Sequence, residues 1–234
     1  MDTVTEDITI GDRATVLARP VGAGRWPGVV MLHEAFGITD VLRRQAQRLA
    51  AAGYLVAAPD LLGEGARFGC VKRTFQALTA RQGRPFEVIE ETRQWLAGQR
   101  DCQGKVGVIG FCMGGGFALV VAAEGFDAAS VNYGMIPDDV AEVLRGACPI
   151  VGSYGARDRM SAAVPKLAAA LESQQIPYDL KIYRTAGHSF LNDAPVGPLL
   201  ARPLMRIAHV GPDPEAAAHA WGRIEAFFAR HLSS

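Results

Sequence analysis

Few of the features that assign a chain to a specialised class are present here. No apolar run is long enough to span a bilayer, and the opening "MDTVTEDITIGD" carries acidic residues where a secretory leader has a basic flank and an apolar centre. A soluble, cytoplasmic protein is expected. Charge of neither sign predominates: 24 basic residues face 24 acidic ones, which removes the general attraction that draws basic domains to nucleic acid or to anionic membranes. A small molecule is the expected partner, and a monomer the default state. Cysteine is scarce, and Cys70, Cys102, Cys112 and Cys148 form neither a C-x-x-C pair nor a disulfide-like framework. All four are therefore expected to be reduced, and structural zinc is not expected. There is no G-K-[ST] and no clean G-x-G-x-x-G, so nucleotide cofactors fit poorly. No linker, repeat or low-complexity tract divides the chain, and residues 1–234 read as one domain.

What is present is a regular alternation. The β-branched run "PGVVMLHE" precedes the amphipathic "VLRRQAQRLAAAG", "YLVAAPDL" follows, and the pattern returns in "KVGVIGF" and "MGGGFALVVAAEG". Further on come "AASVNYG", "CPIVGSYG", the helical "SAAVPKLAAALESQ", the strand "YDLKIY" and a closing helix with Trp221, Ile224, Phe227 and Phe228 on one face. This order predicts an α/β fold, a mostly parallel central sheet with helices on both faces. The early "DTVTEDITI" and "ATVLARP" alternate like hairpin strands and predict an antiparallel edge. Residues 61–75 and 192–214 do not read as regular elements and are expected to form pocket walls or lids.

"GFCMGG", residues 110–115, lies between a predicted strand and a predicted helix, where a tight turn presents a nucleophile at its apex. The apex residue is Cys112. The helix N-terminus behind it favours thiolate over thiol, and glycines at 110, 114, 115 and 116 relieve a crowded backbone. A small packed cysteine in a glycine-rich turn is the competing reading. An apex nucleophile in this architecture is followed in chain order by an acid and then a histidine, each just beyond a strand end. Asp158 in "PIVGSYGARD" and His188 in "YDLKIYRTAGHSF" meet that requirement. The oxyanion donors expected from the same logic are the backbone N–H groups of Met113, after the nucleophile, and of Ala35, in the earlier loop "HEAFG". That loop begins like the zinc motif H-E-x-x-H but has Gly37 in place of the second histidine, so no metal and no cofactor are expected.

Taken together, G-x-C-x-G-G, "GARD", "AGHSF" and "HEAFG" resemble the dienelactone hydrolase family of α/β-hydrolases over nearly the whole chain. The resemblance implies hydrolysis of a small lactone or activated ester, of the carboxymethylenebutenolidase kind, through a cysteine–histidine–aspartate triad and a thioester. It also implies that Glu34 contacts the resting thiol and gates it until substrate displaces the carboxylate. Family members that act on the diene lactone hold its carboxylate with two arginines, one of them four residues after the histidine. That position here is Asn192. Phe36, Arg81 and Asn192 are the candidate substrate contacts, with Arg73, Arg202 and Arg206 as other sources of positive charge. An esterase or thioesterase of another substrate class, or a ligand-binding protein that retains the fold, remains open.

Overall fold

The computed structural model describes residues 1–63, 65, 67–195, 197 and 202–233. The N-terminal hairpin forms as the alternation predicts: β1 (Thr3–Ile10) and β2 (Arg13–Pro20) pair antiparallel, and Gly11 (φ 59°) takes the left-handed backbone that their tight turn requires. β2 then pairs antiparallel with β4 (Leu55–Pro59). From β4 onward the sheet is parallel, through β3 (Trp26–Leu32), β5 (Cys102–Phe111), β6 (Ala128–Asn132), β7 (Ile150–Gly155) and β8 (Tyr178–Tyr183), in the order β1-β2-β4-β3-β5-β6-β7-β8. The inner strands are buried on both faces, which is why they read as unbroken apolar runs.

Two apolar layers cover the sheet. On one face lie α1 (Asp40–Ala51) and a C-terminal helix, whose Trp221, Ile224, Phe227 and Phe228 are buried on one stripe as expected. On the other lie α2 (Arg67–Ala80), α3 (Arg84–Ala97), α4 (Met113–Val121), α5 (Val140–Val143) and α6 (Val164–Ser173). A short α7 (Arg202–Ile207) precedes the C-terminal helix, α8 (Pro214–Leu232), which opens on Pro214 with the Asp213 carboxylate capping Ala216 N–H. No helix among the described residues is long and apolar enough to cross a membrane.

The segment 61–75 differs from expectation, because α2 occupies much of it. Its glycines suggest a loop, yet Cys70, Thr74 and Leu78 recur every four residues and are buried together. With only one of the three strongly apolar, the stripe is hard to see in the sequence.

The chain runs from β3 outward to β4 and then returns across to β5, on the other side of β3. Loops leaving the carboxyl ends of β3 and β5 therefore diverge around a crevice, the position where open α/β sheets hold their ligands. Residues 33–37 and Cys112 lie in those two loops.

Candidate active site

Cys112 sits at the apex between β5 and α4 with φ 54° and ψ −114°, a conformation costly for any side-chain-bearing residue. The surrounding packing holds it there. Its N–H donates to Asn132 O at 3.1 Å, its carbonyl accepts from Gly116 N–H at 3.1 Å, and Asn132 Nδ2 donates to Gly110 O at 3.1 Å. α4 lies so close to the strand ends that a Cβ on Gly110 would strike the Gly114 carbonyl, and one on Gly114 would strike the Leu32 carbonyl and lie 2.8 Å from His33 O. Backbone contact thus joins α4 to the loop after β3.

The ends of β7 and β8 supply the acid and the imidazole. Asp158 Oδ2 lies 2.6 Å from His188 Nδ1, and its Oδ1 accepts from Met160 N–H at 3.0 Å. Loop packing fixes the histidine: Gly211 N–H donates to His188 O at 2.9 Å, and Tyr133 meets the ring edge-on at 5.1 Å. Burial opposes protonation of His188, but hydrogen bonds to Asp158 and to the Cys112 sulfur, with the negative charge these groups can carry, outweigh it and push its pKa up to about 10. Besides Cys112, Tyr133 (φ 42°) and Ser189 (φ 60°) take left-handed backbone conformations without being glycine, so three such residues surround one site.

The loop after β3 is braced by its own histidine. Leu61 N–H donates to His33 Nε2 at 2.9 Å, which leaves the proton on Nδ1 to bond Glu34 O at 2.6 Å. Nε2 also lies 3.4 Å from Asp60 Oδ1, so the ring ties the loop carrying Glu34 and Ala35 to the loop after β4. Glu34 is buried, and its Oε2 accepts from Asn192 Nδ2 at 3.2 Å. Burial raises its pKa, opposed by the hydroxyls of Ser189 and Tyr133, the Asn192 amide and the charge on His188.

Residues 14–232 match the profile of the Dienelactone hydrolase family. The chain belongs to that family. It is similar to the carboxymethylenebutenolidase of Rhodococcus opacus, 29% identical over 219 residues that span 88% of this chain and 81% of the relative. Two solved structures share the fold across 99% of both chains: a dienelactone hydrolase-like promiscuous phosphotriesterase from metagenomic libraries (TM-score 0.77, 21% identity) and the dienelactone hydrolase of Anabaena variabilis (TM-score 0.69, 22% identity). The architecture is that of the α/β-hydrolases, and this family member is a hydrolase of the dienelactone hydrolase type.

Within this dienelactone hydrolase family member, Cys112, Asp158 and His188 come together, with Glu34 beside them. The Cys112 sulfur neighbours His188, whereas Glu34 Oε2 accepts from Asn192 Nδ2, so Glu34 and the position expected to meet a substrate carboxylate are paired with each other. Asn192 is buried and engaged within the protein: one Nδ2 hydrogen is on Glu34 and its Oδ1 accepts from Gln45 Nε2 at 3.1 Å. Phe36 packs against Gly197 and lines a cavity of about 10 Å³ with Glu34, Gln45 and Asn192. Arg81 lies apart, paired with Asp139 in a cleft between α3, α4 and α5, and Arg73 bonds the Cys70 sulfur. The side chains of Arg202 and Arg206 lie outside the described residues. A cavity of about 1060 Å³ adjoins the His188 turn, lined by Arg157, Thr185, Met205, Ile207 and Val210 among others.

Sequence reasoning missed His33, Gln45, Tyr133 and Ser189. Tyr133 follows the end of β6, so the strand-end rule that found Asp158 and His188 would have found it too. Gln45 carried no such signal, because its partner lies 147 residues away.

Proposed function

We propose that this protein hydrolyses small lactones or activated esters as a single domain, without a cofactor, through a Cys112–His188–Asp158 triad. The observation that carries this reading is the 2.6 Å Asp158–His188 contact with the Cys112 sulfur beside the same imidazole, at the N-terminus of α4. Asp158 fixes the ring and supports the imidazolium. His188 takes the Cys112 proton, the sulfur attacks the acyl carbon, and negative charge gathers on the carbonyl oxygen. The Ala35 and Met113 N–H groups are assigned to that oxygen, because backbone contact brings their two loops together and the first amides of a helix have no intrahelical acceptor. The C–O bond breaks, His188 delivers its proton to the leaving oxygen, and a thioester remains. Water then attacks the thioester with His188 as base, releasing the acid and restoring the thiol.

The engagement of Asn192 with Glu34 and Gln45 favours neutral substrates over anionic ones, since the position from which an arginine would hold a substrate carboxylate is occupied by a buried, uncharged amide. A kinetic panel of neutral lactones, aryl esters and carboxylate-bearing lactones tests both points. Neutral lactones and aryl esters are expected to be hydrolysed at least as well as anionic ones. A strong preference for the anionic lactone would show that a positively charged clamp operates in the site.

A further inference from the structure

β8 is the outer strand of the sheet, far in the strand order from the β1 edge. Hydrogen bonds at its two ends fix which of its residues face β7: Ile150 N–H donates to Pro177 O at 3.0 Å, and Ala156 N–H donates to Tyr183 O at 2.8 Å. Residues along a strand alternate in the side to which they offer N–H and C=O. Asp179, Lys181 and Tyr183 therefore turn their backbone groups to β7, while Tyr178, Leu180 and Ile182 turn theirs outward. No strand lies beyond β8 among the described residues, and no hydrogen bond among them reaches those outward groups. The side chains alternate as well. Asp179 and Lys181 lie on the α8 face, where Asp179 holds Arg223 with contacts at 2.7 and 3.0 Å and Lys181 Nζ meets His219 Nε2 at 3.3 Å. Tyr178, Leu180 and Ile182 lie on the α6 face; the Tyr178 hydroxyl donates to Glu172 Oε1 at 2.5 Å, and Ile182 is 39% exposed.

An open strand edge is a template for another strand, and charge is a common means of blunting it. The other edge of the sheet fits that rule: β1 carries Glu6 and Asp7 and no basic residue, so two copies of it repel each other. β8 differs, because its charges are of opposite sign and lie on one face, two residues apart. An antiparallel two-fold pairing centred on Leu180 lets every outward-facing residue exchange hydrogen bonds with a counterpart, Leu180 with Leu180 and Tyr178 with Ile182 of the second copy. The same register sets Asp179 directly opposite Lys181 of the second copy, on both sides of the axis. The neighbouring registers that also match outward residues are centred on Asp179 or on Lys181, and they bring like charges face to face. We propose that β8 is a self-complementary edge through which two copies of this chain form a two-fold dimer centred on Leu180, each sheet continuing into the other. Tyr178 then covers the exposed Ile182 of its neighbour. The contact uses the same surface on both copies, so it closes at the dimer. This inference is independent of the chemistry proposed for Cys112.

Analytical ultracentrifugation of the full chain over a concentration series tests the edge. The wild type is expected to show a monomer–dimer equilibrium and nothing larger. Lys181→Asp sets carboxylates against each other on both sides of the axis and is expected to weaken the dimer by about tenfold or more. Asp179→Lys combined with Lys181→Asp makes the facing charges opposite again, and the dimer is expected to return. Should that double variant not fold, for want of the Asp179–Arg223 contact, salt provides the same check: the gap between Lys181→Asp and wild type is expected to narrow as ionic strength rises and screens the repulsion. Ile182→Pro tests the backbone. It removes an outward N–H and leaves the β7 ladder intact, so it is expected to be monomeric where the wild type is dimeric, with unchanged far-ultraviolet circular dichroism. A wild type that stays monomeric to submillimolar concentration, or a dimer that Lys181→Asp and Ile182→Pro both leave intact, overturns the proposal. Assemblies that grow past the dimer overturn the two-fold register, because only a head-to-tail contact such as β8 against the β1 edge of another copy propagates.

Discussion

Cys112→Ala and His188→Ala are each expected to lower kcat/KM by about 10⁴–10⁶-fold, and the double variant to lose little more than either single one. The expectation follows from the single proton circuit that the two residues share. Without the imidazole, the sulfur loses the cation beside it and the leaving oxygen loses its proton source. Without the sulfur, the imidazole has nothing to activate except water. Either loss leaves only substrate binding and the backbone donors. Additive losses would mean that the two residues act in separate steps. Cys70, Cys102 and Cys148 provide the internal control, since all three are buried and none belongs to the cluster around His188. Their replacement by alanine or serine is expected to leave the chemistry intact.

Gly114→Ala is expected to damage both stability and rate. A Cβ at this position meets the Leu32 carbonyl and lies 2.8 Å from the His33 carbonyl. Both obstacles are backbone at the end of a central strand, so no rotamer change can relieve the clash. α4 must instead move away from β3, at a cost of about 3 kcal/mol or more, the upper end for overpacking a core. For a chain of this size the corresponding fall in Tm is about 6–12 °C. The same movement separates Met113 N–H from Ala35 N–H, so kcat is expected to fall further than the loss of folded protein accounts for. Thermal unfolding followed by circular dichroism, with kcat measured well below Tm, separates the two effects. A variant with wild-type Tm and kcat would mean that α4 is not held against the loop after β3.

The parts of this molecule that were legible in the sequence are those where local pattern and chemistry coincide. The parallel strands appear as apolar runs because both of their faces are covered, and α8 shows its buried stripe because Trp221, Ile224, Phe227 and Phe228 fall on one side. That Cys112, Asp158 and His188 meet was legible for a stricter reason: a tight strand-to-helix turn needs glycines, and side chains that leave neighbouring strand ends converge at one edge of the sheet. α2 was concealed because its inward stripe uses Cys70 and Thr74 and because Gly69 lies within it. The setting of Glu34 was concealed more deeply. Whether a buried carboxyl meets an arginine or an amide depends on which long-range partners the fold delivers, and Gln45 and Asn192 meet only when α1 packs beside the loop after His188. Arg81 illustrates the converse. In the sequence it is a free positive charge, while in the fold Asp139, 58 residues away, neutralises it.

The central claim is that the acyl group passes through Cys112, and the most direct test is mass spectrometry of protein quenched during turnover of an activated aryl ester. The account predicts an adduct with the mass of the acyl group, located on the peptide that carries Cys112, labile to hydroxylamine and absent from Cys112→Ala. Hydrolysis at an undiminished rate by Cys112→Ala, or an acyl adduct on any other residue, would contradict it.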